Sequence, residues 1–414
     1  MSTLNSPPTN PPSELPQSTT LYTSLSTQIR KFLPLLLLLL VSFVLVLGFL
    51  FVPSVSTWLK SPALLIGRFL VFIFSVFMFS LWQFQNHLLY MPSFPDRTGR
   101  TRSISFNQRG FLSPSEYNIQ YEDVYIANKL DDVLIHAWFL KQPQHEKCRT
   151  LIFCHSNACN IGFRLPNMNA QMHFLRCNVL AFEYRGYGNS AGEVSEAGLR
   201  RDAEAALVWL LEREDVLHSQ IFLFGRSLGV AVSIALAAQP QYRDKIAGII
   251  VENGFTSVED MVIVLFRRAV RDSHPKIERV LRQFLRMYMT SQWHSLRAIA
   301  QVKCPILLIS GLLDELIPPE QMYELSKAAI NSRHVQLYAV LGGKHNDTFL
   351  AGGRPYYLEQ LKFMREAVQQ CNDNCNTTPK SFNSTISPTS SSSSQHIASV
   401  PPKLSENESF DDVP

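Results

Sequence analysis

Between about residues 120 and 370, short apolar runs rich in β-branched residues alternate with helical patterns, and this alternation restricts the fold more than any other feature of the chain. The runs are VLIHAWFL, TLIFCH, NVLAFEY, QIFLFG, IAGIIVEN, PILLIS and VQLYAVL. Such a pattern predicts an α/β fold with a largely parallel sheet covered by helices on both faces. The longest intervening helix, SEAGLRRDAEAALVWLLERE, puts Leu199, Ala203, Ala206, Leu207 and Leu210 on one face, a stripe expected to pack against the core.

In an open α/β sheet the chemistry collects beyond the carboxyl ends of the strands. Three of those ends carry reactive residues. IFLF runs into GRSLG and then directly into a small-residue helix, the strand, turn and helix setting of a nucleophile elbow centred on Ser227. Gly225 and Gly229 leave space for that tight turn, and the helix beginning at Leu228 aims its amide dipoles at the reacting oxygen. PILLIS ends in a loop holding Asp314, and VQLYAVL ends in a loop holding His345. Taken singly, a loop aspartate caps turns and a loop histidine is solvated. In the chain order Ser, Asp, His, each after a separate strand, the three match the α/β-hydrolase arrangement. A histidine near its neutral titration range can take the serine proton, and a carboxylate holds its tautomer. Acyl transfer through an acyl-serine follows from that set. His155 and Asp347 are nearby alternatives, the first at the end of a different strand and the second close to His345 in sequence.

The developing oxyanion needs two backbone donors, expected from Leu228 and from Asn157 in the loop FCHSNACN; the alternative for Asn157 is a turn cap.

Upstream, residues 32 to 59 contain no charge, long enough to span about 30 Å of hydrocarbon as a helix. A cleaved signal would be shorter and nearer the N-terminus. A second apolar run, 63 to 82, contains Arg68 and fits either a second crossing or an interfacial helix. Arg30 and Lys31 favour a cytoplasmic N-terminus; one crossing then puts the body in a lumen or outside, and a hairpin returns it to the cytosol. The expected organisation is a disordered tail over 1–30, a membrane anchor of one or two helices over 31–82, and an α/β-hydrolase domain over 83–372. A lid is expected at about 256–300, and a second disordered tail, rich in Ser, Thr and Pro, over 373–414.

The chain's motifs carry a family resemblance. QNHLLYMPSFP, HSNACNIGFRLPN, EYRGYGNSAGEVSEAGL, FLFGRSLG, VENGFTS, SGLLDELIPP and HNDTF resemble, in order and spacing, the bud-emergence-type alpha/beta hydrolases over roughly residues 83 to 370. The resemblance implies a membrane-anchored serine hydrolase with Ser227, Asp314 and His345 as its triad, and points to protein depalmitoylation. Two places depart from the family pattern. Ser156 and Cys159 replace glycines beside the oxyanion donor, and Val230 stands where a third elbow glycine is common.

The lid span 261–300 holds eight basic residues and two acidic ones, with Arg267, Arg268, Arg271, Arg279, Arg282 and Arg286 interleaved with apolar positions. That suits a surface facing anionic lipid, or a solvated basic helix over a core. The expected partners are therefore the lipid bilayer and an acylated protein or lipid substrate. A lysophospholipase or monoacylglycerol-type lipase and a catalytically weak scaffold are the competing readings. Across the whole chain 38 basic and 34 acidic residues give +4, too little for a nucleic-acid partner. The seven cysteines form no C-x-x-C pair, so no metal or other cofactor is expected.

Overall fold

The seven apolar runs form β2 (Leu134–Lys141), β3 (Thr150–Cys154), β4 (Asn178–Phe182), β5 (Ile221–Arg226), β6 (Gly248–Glu252), β7 (Ile306–Gly311) and β8 (Val335–Val340). An additional strand, β1 (Gln120–Ala127), precedes them. It escapes an apolar-run search because it lies at the sheet edge, with polar Gln120, Glu122 and Asp123 among its residues and mostly exposed or half-buried side chains. These assignments come from a computed structural model that describes residues 62–94, 102–270 and 275–376. The sheet has eight strands in the order β1-β2-β4-β3-β5-β6-β7-β8. β1 and β2 pair antiparallel, as do β2 and β4, and every later pair is parallel.

Helices cover both faces. On one side α3 (Glu196–Leu211), α4 (Leu228–Ala237), α7 (Ser295–Ile299) and α8 (Pro319–Ala328) bury their apolar residues against the sheet. The α3 stripe Leu199, Ala203, Ala206, Leu207 and Leu210 is buried there, as its spacing predicts. On the other side lie α2 (Leu165–Leu175) and α9 (Thr348–Asn376), the latter broken at Gly353, where φ is +49°. The strands between these layers are buried on both faces, which explains their continuous apolar sequences. The described residues through Cys371 belong to one compact unit; of the second, Asn372–Pro414, only the helical residues to Asn376 are described.

Helix α1 (Pro62–Leu89) precedes the sheet, and α5 (Val258–Ala269) and α6 (Pro275–Tyr288) fall within the span expected to carry a lid. Among the described residues no helix is long and apolar enough to cross a membrane. The second crossing entertained for 63–82 therefore finds no support. Between Arg68 and Gln83 the apolar run is only about 14 residues, ~21 Å of helix against ~30 Å of hydrocarbon. The stronger run at 32–59, the tail 1–30 and residues 377–414 of the tail expected over 373–414 lie outside the described residues; 373–376 are not disordered but continue helix α9, whose backbone hydrogen bonding carries on past the expected boundary.

Candidate active site

β5 delivers Ser227 in a backbone conformation that side chains rarely adopt, φ +55° and ψ −114°, at the first turn of α4. Holding a non-glycine residue there costs about 1–3 kcal/mol, so the surroundings must enforce it. They do so sterically. A Cβ on Gly225 would overlap the Gly229 carbonyl, and one on Gly229 would overlap the carbonyl of Cys154 at the end of β3. The Ser227 amide donates to the Glu252 carbonyl at 3.0 Å. Arg226, the variable residue of the motif, is buried and ion-paired with Glu252, whose other oxygen accepts from Tyr356. Val230, where a glycine was expected, fits because its methyl groups occupy the space that Gly254 leaves open.

His345 and Asp314 reach the elbow from the ends of β8 and β7. The Ser227 hydroxyl lies 3.0 Å from His345 Nε2, and His345 Nδ1 lies 2.8 Å from Asp314 Oδ2. A carboxylate at Nδ1 fixes the proton on that nitrogen and leaves the Nε2 lone pair facing the hydroxyl. Asp314 is itself held, its Oδ1 accepting the amides of Leu316 and Ile317 at 2.8 Å each. Both His345 and Asp314 are buried. The alternatives are otherwise engaged. Asp347 accepts the Lys344 amide, and His155 is enclosed behind the β3 loop against Tyr184 and Glu183.

A residue not singled out by spacing, Asn253, ties this arrangement together. Its amide nitrogen donates to the carbonyls of Lys344 and His345 and to Thr348 Oγ1, and its oxygen accepts the Gly311 amide. It follows β6 with φ +52°, a conformation that asparagine tolerates better than most residues. Glu315 also accepts the His345 amide at 3.1 Å. VENGFTS contained Asn253, but nothing local marks an asparagine that bonds to a loop some ninety residues later.

Asn157 and Leu228 flank Ser227 on the wall of one cavity. As the first residue of α4, Leu228 has an amide with no partner inside the helix. The Asn157 side chain caps no turn: its nitrogen donates to the Leu89 carbonyl at 2.7 Å and its oxygen accepts from Tyr187. Cys159 adopts φ +60°, the left-handed geometry that a glycine would take, and its thiol reaches the Phe94 carbonyl at 2.9 Å. Behind the loop, Arg164 donates to the Ala158 carbonyl and Glu183 accepts the Ile161 amide. Burial pushes Glu183 up to about 8 and His155 down to about 3. Near neutrality the two face one another uncharged.

The cavity holds about 390 Å³ and is lined mainly by apolar side chains from α1, α5 and α6. Much of the basic charge in the span expected to carry a lid is spent within that span. Arg282 and Arg286 pair with Glu259, Arg282 also with Asp260, and Arg267 with Glu278. Arg268 reaches the Glu315 carbonyl. These four therefore hold α5, α6 and the Asp314 loop together, and Arg271 lies outside the described residues.

Comparison with known proteins places this geometry in context. The chain is 37% identical over 287 residues to alpha/beta hydrolase domain-containing protein WAV2 of Arabidopsis thaliana, covering 68% of this chain and 88% of that protein. It is 34% identical to Protein bem46 of Schizosaccharomyces pombe, over 69% and 87% of the two chains. An uncharacterized membrane protein of Saccharomyces cerevisiae, YNL320W, is 30% identical over 72% and 94%. Among solved structures, an esterase of Pyrococcus furiosus superposes with a TM-score of 0.50 at 19% identity, over 61% of this chain and 93% of that one, a likeness of fold. No family model matches the chain.

Proposed function

Since the chain belongs to the alpha/beta hydrolase family represented by WAV2 and bem46, as its motifs led us to expect, we propose that it is a serine hydrolase of acyl esters or thioesters, with a palmitoylated protein as its substrate. The observation that carries this reading is the hydrogen-bonded line from Ser227 through His345 to Asp314, set on a strained elbow at the wall of an apolar cavity. Ser227 attacks the acyl carbonyl while His345 takes its proton and Asp314 stabilises the resulting imidazolium. The oxyanion is received by the backbone amides of Asn157 and Leu228, each worth about 2.7–4 kcal/mol in the transition state. His345 returns the proton to the leaving alcohol or thiol, and water then releases the acyl group by the same steps in reverse roles. A binding scaffold has no use for the strain at Ser227, which argues for catalysis over that alternative.

Membrane association belongs to the same proposal. Its support is the uncharged run 32–59 together with the outward side of α1, where Phe69, Leu70, Phe72, Phe74 and Phe77 are all exposed. An apolar surface of that extent is expected to meet lipid.

Labelling with a fluorophosphonate tests the chemistry: wild type labels and Ser227→Ala does not. His345→Ala and Asp314→Asn are expected to lose about 10⁴-fold or more in kcat. A wild-type protein that stays unlabelled would return the chain to the scaffold reading. Faster turnover of a lysophospholipid than of a palmitoylated peptide would identify a lipase instead.

A further inference from the structure

Helix α1 precedes the sheet, dozens of residues before the strands that carry the active site. It nonetheless forms one side of that site. Met78, Trp82, Gln85 and Leu89 line the cavity that contains Ser227. They recur at intervals of four, three and four residues, the spacing of a single helix face. Met78 is buried, although Val76 and Phe77 beside it in sequence are exposed. The opposite cavity wall comes from the lid, with Leu265 on α5 and Phe284 and Leu285 on α6. Unlike a swinging cover, α1 is fastened on both sides of the opening. Its last carbonyl, Leu89, accepts from Asn157 in the β3 loop, and Met91 bridges to Ala158. Towards the lid, Gln85 accepts the Thr290 amide, and Tyr90 bonds to Ser291 and Trp293.

We propose that the acyl subsite of this enzyme lies between α1 and the lid helices, so that a single long, unbranched acyl chain runs along α1 from Ser227, with Met78 and Trp82 determining the chain length accepted. The inference rests on the serine-hydrolase reading and adds to it where the acyl chain lies and which residues set its length. A volume of about 390 Å³ is of the size that holds small ligands, and its lining offers few polar groups to an acyl substituent bearing its own. A flexible chain fills such a slot by shedding apolar surface. The same helix carries exposed phenylalanines on its outer side, so the chain passes from one apolar surround to another.

The test uses the full chain in detergent micelles, with 4-nitrophenyl butyrate and 4-nitrophenyl dodecanoate as substrates. Met78→Trp fills the slot and is expected to lower the ratio of dodecanoate to butyrate turnover at least tenfold. Phe74→Ser, on the outward face, is expected to leave the ratio as in wild type. An unchanged ratio in labelled Met78→Trp protein overturns the inference while sparing the hydrolase reading. A measurement on wild type guards against misfolding of that variant. An alkyl fluorophosphonate with a diazirine at its chain end is expected to crosslink within the segment between Arg68 and Arg97 or within α5 and α6. Crosslinks confined to other segments overturn the inference. Failure of any fluorophosphonate to label wild-type Ser227 removes the hydrolase reading, and this inference with it.

Discussion

Two single residues show how the site is held. Asn253 makes four hydrogen bonds that join the end of β7 to the His345 loop. Asn253→Ala strands buried polar groups and is expected to cost about 1–3 kcal/mol, read from the urea midpoint, together with a fall in kcat as His345 loses its fixed position. Cys159 bears on the departures in the HSNACN loop. Because it already adopts the left-handed conformation of a glycine, the loop keeps its course past Asn157. Cys159→Gly is accordingly expected to hold kcat/KM within about threefold of wild type, far from the ~10²–10³-fold loss that follows removal of an oxyanion donor. A larger change would mean that the thiol contact to Phe94 sets the loop.

At the scale of elements, the elbow depends on a junction between β5, β6 and α9. Arg226 and Glu252 lie side by side on parallel strands, and Tyr356 closes the group from α9. Breaking one member leaves a buried charge, so Arg226→Met is expected to cost about 3–5 kcal/mol, and the double change Arg226→Met with Glu252→Gln to recover most of it. Denaturation of the two variants beside wild type checks this. The lid illustrates what a sequence reading of charge omits. Its arginines read as a free basic stripe because Glu259 and Asp260 precede the window in which they were counted, and folding α6 back onto α5 brings the opposite charges together. β1 was missed for a related reason: an edge strand carries too little apolar sequence to announce itself.

For the whole molecule, the enclosed Glu183 and His155 couple stability to pH in opposite senses. Folded Glu183 keeps its proton up to about 8 against an ordinary 4.5, so its contribution to stability falls as pH rises through that window. His155 stays neutral down to about 3 against an ordinary 6.5, so stability falls as pH drops below 6.5 on its account. Glu183→Gln is expected to flatten the decline on the alkaline side, measured as urea midpoints between pH 5 and 8; an unaltered slope would show that Glu183 ionises normally. The order of strands β2 to β8 along the chain, the elbow at Ser227 and the candidacy of Asp314 and His345 were legible in the sequence. Each depends on periodicity or on residues within one strand and its loop, and backbone geometry makes those patterns local. Contacts across the fold were not: the four bonds of Asn253, the pairing of the lid arginines, the accommodation of Val230 by Gly254 and the use of α1 as a cavity wall. They join segments dozens to hundreds of residues apart, and only packing decides which distant side chains meet.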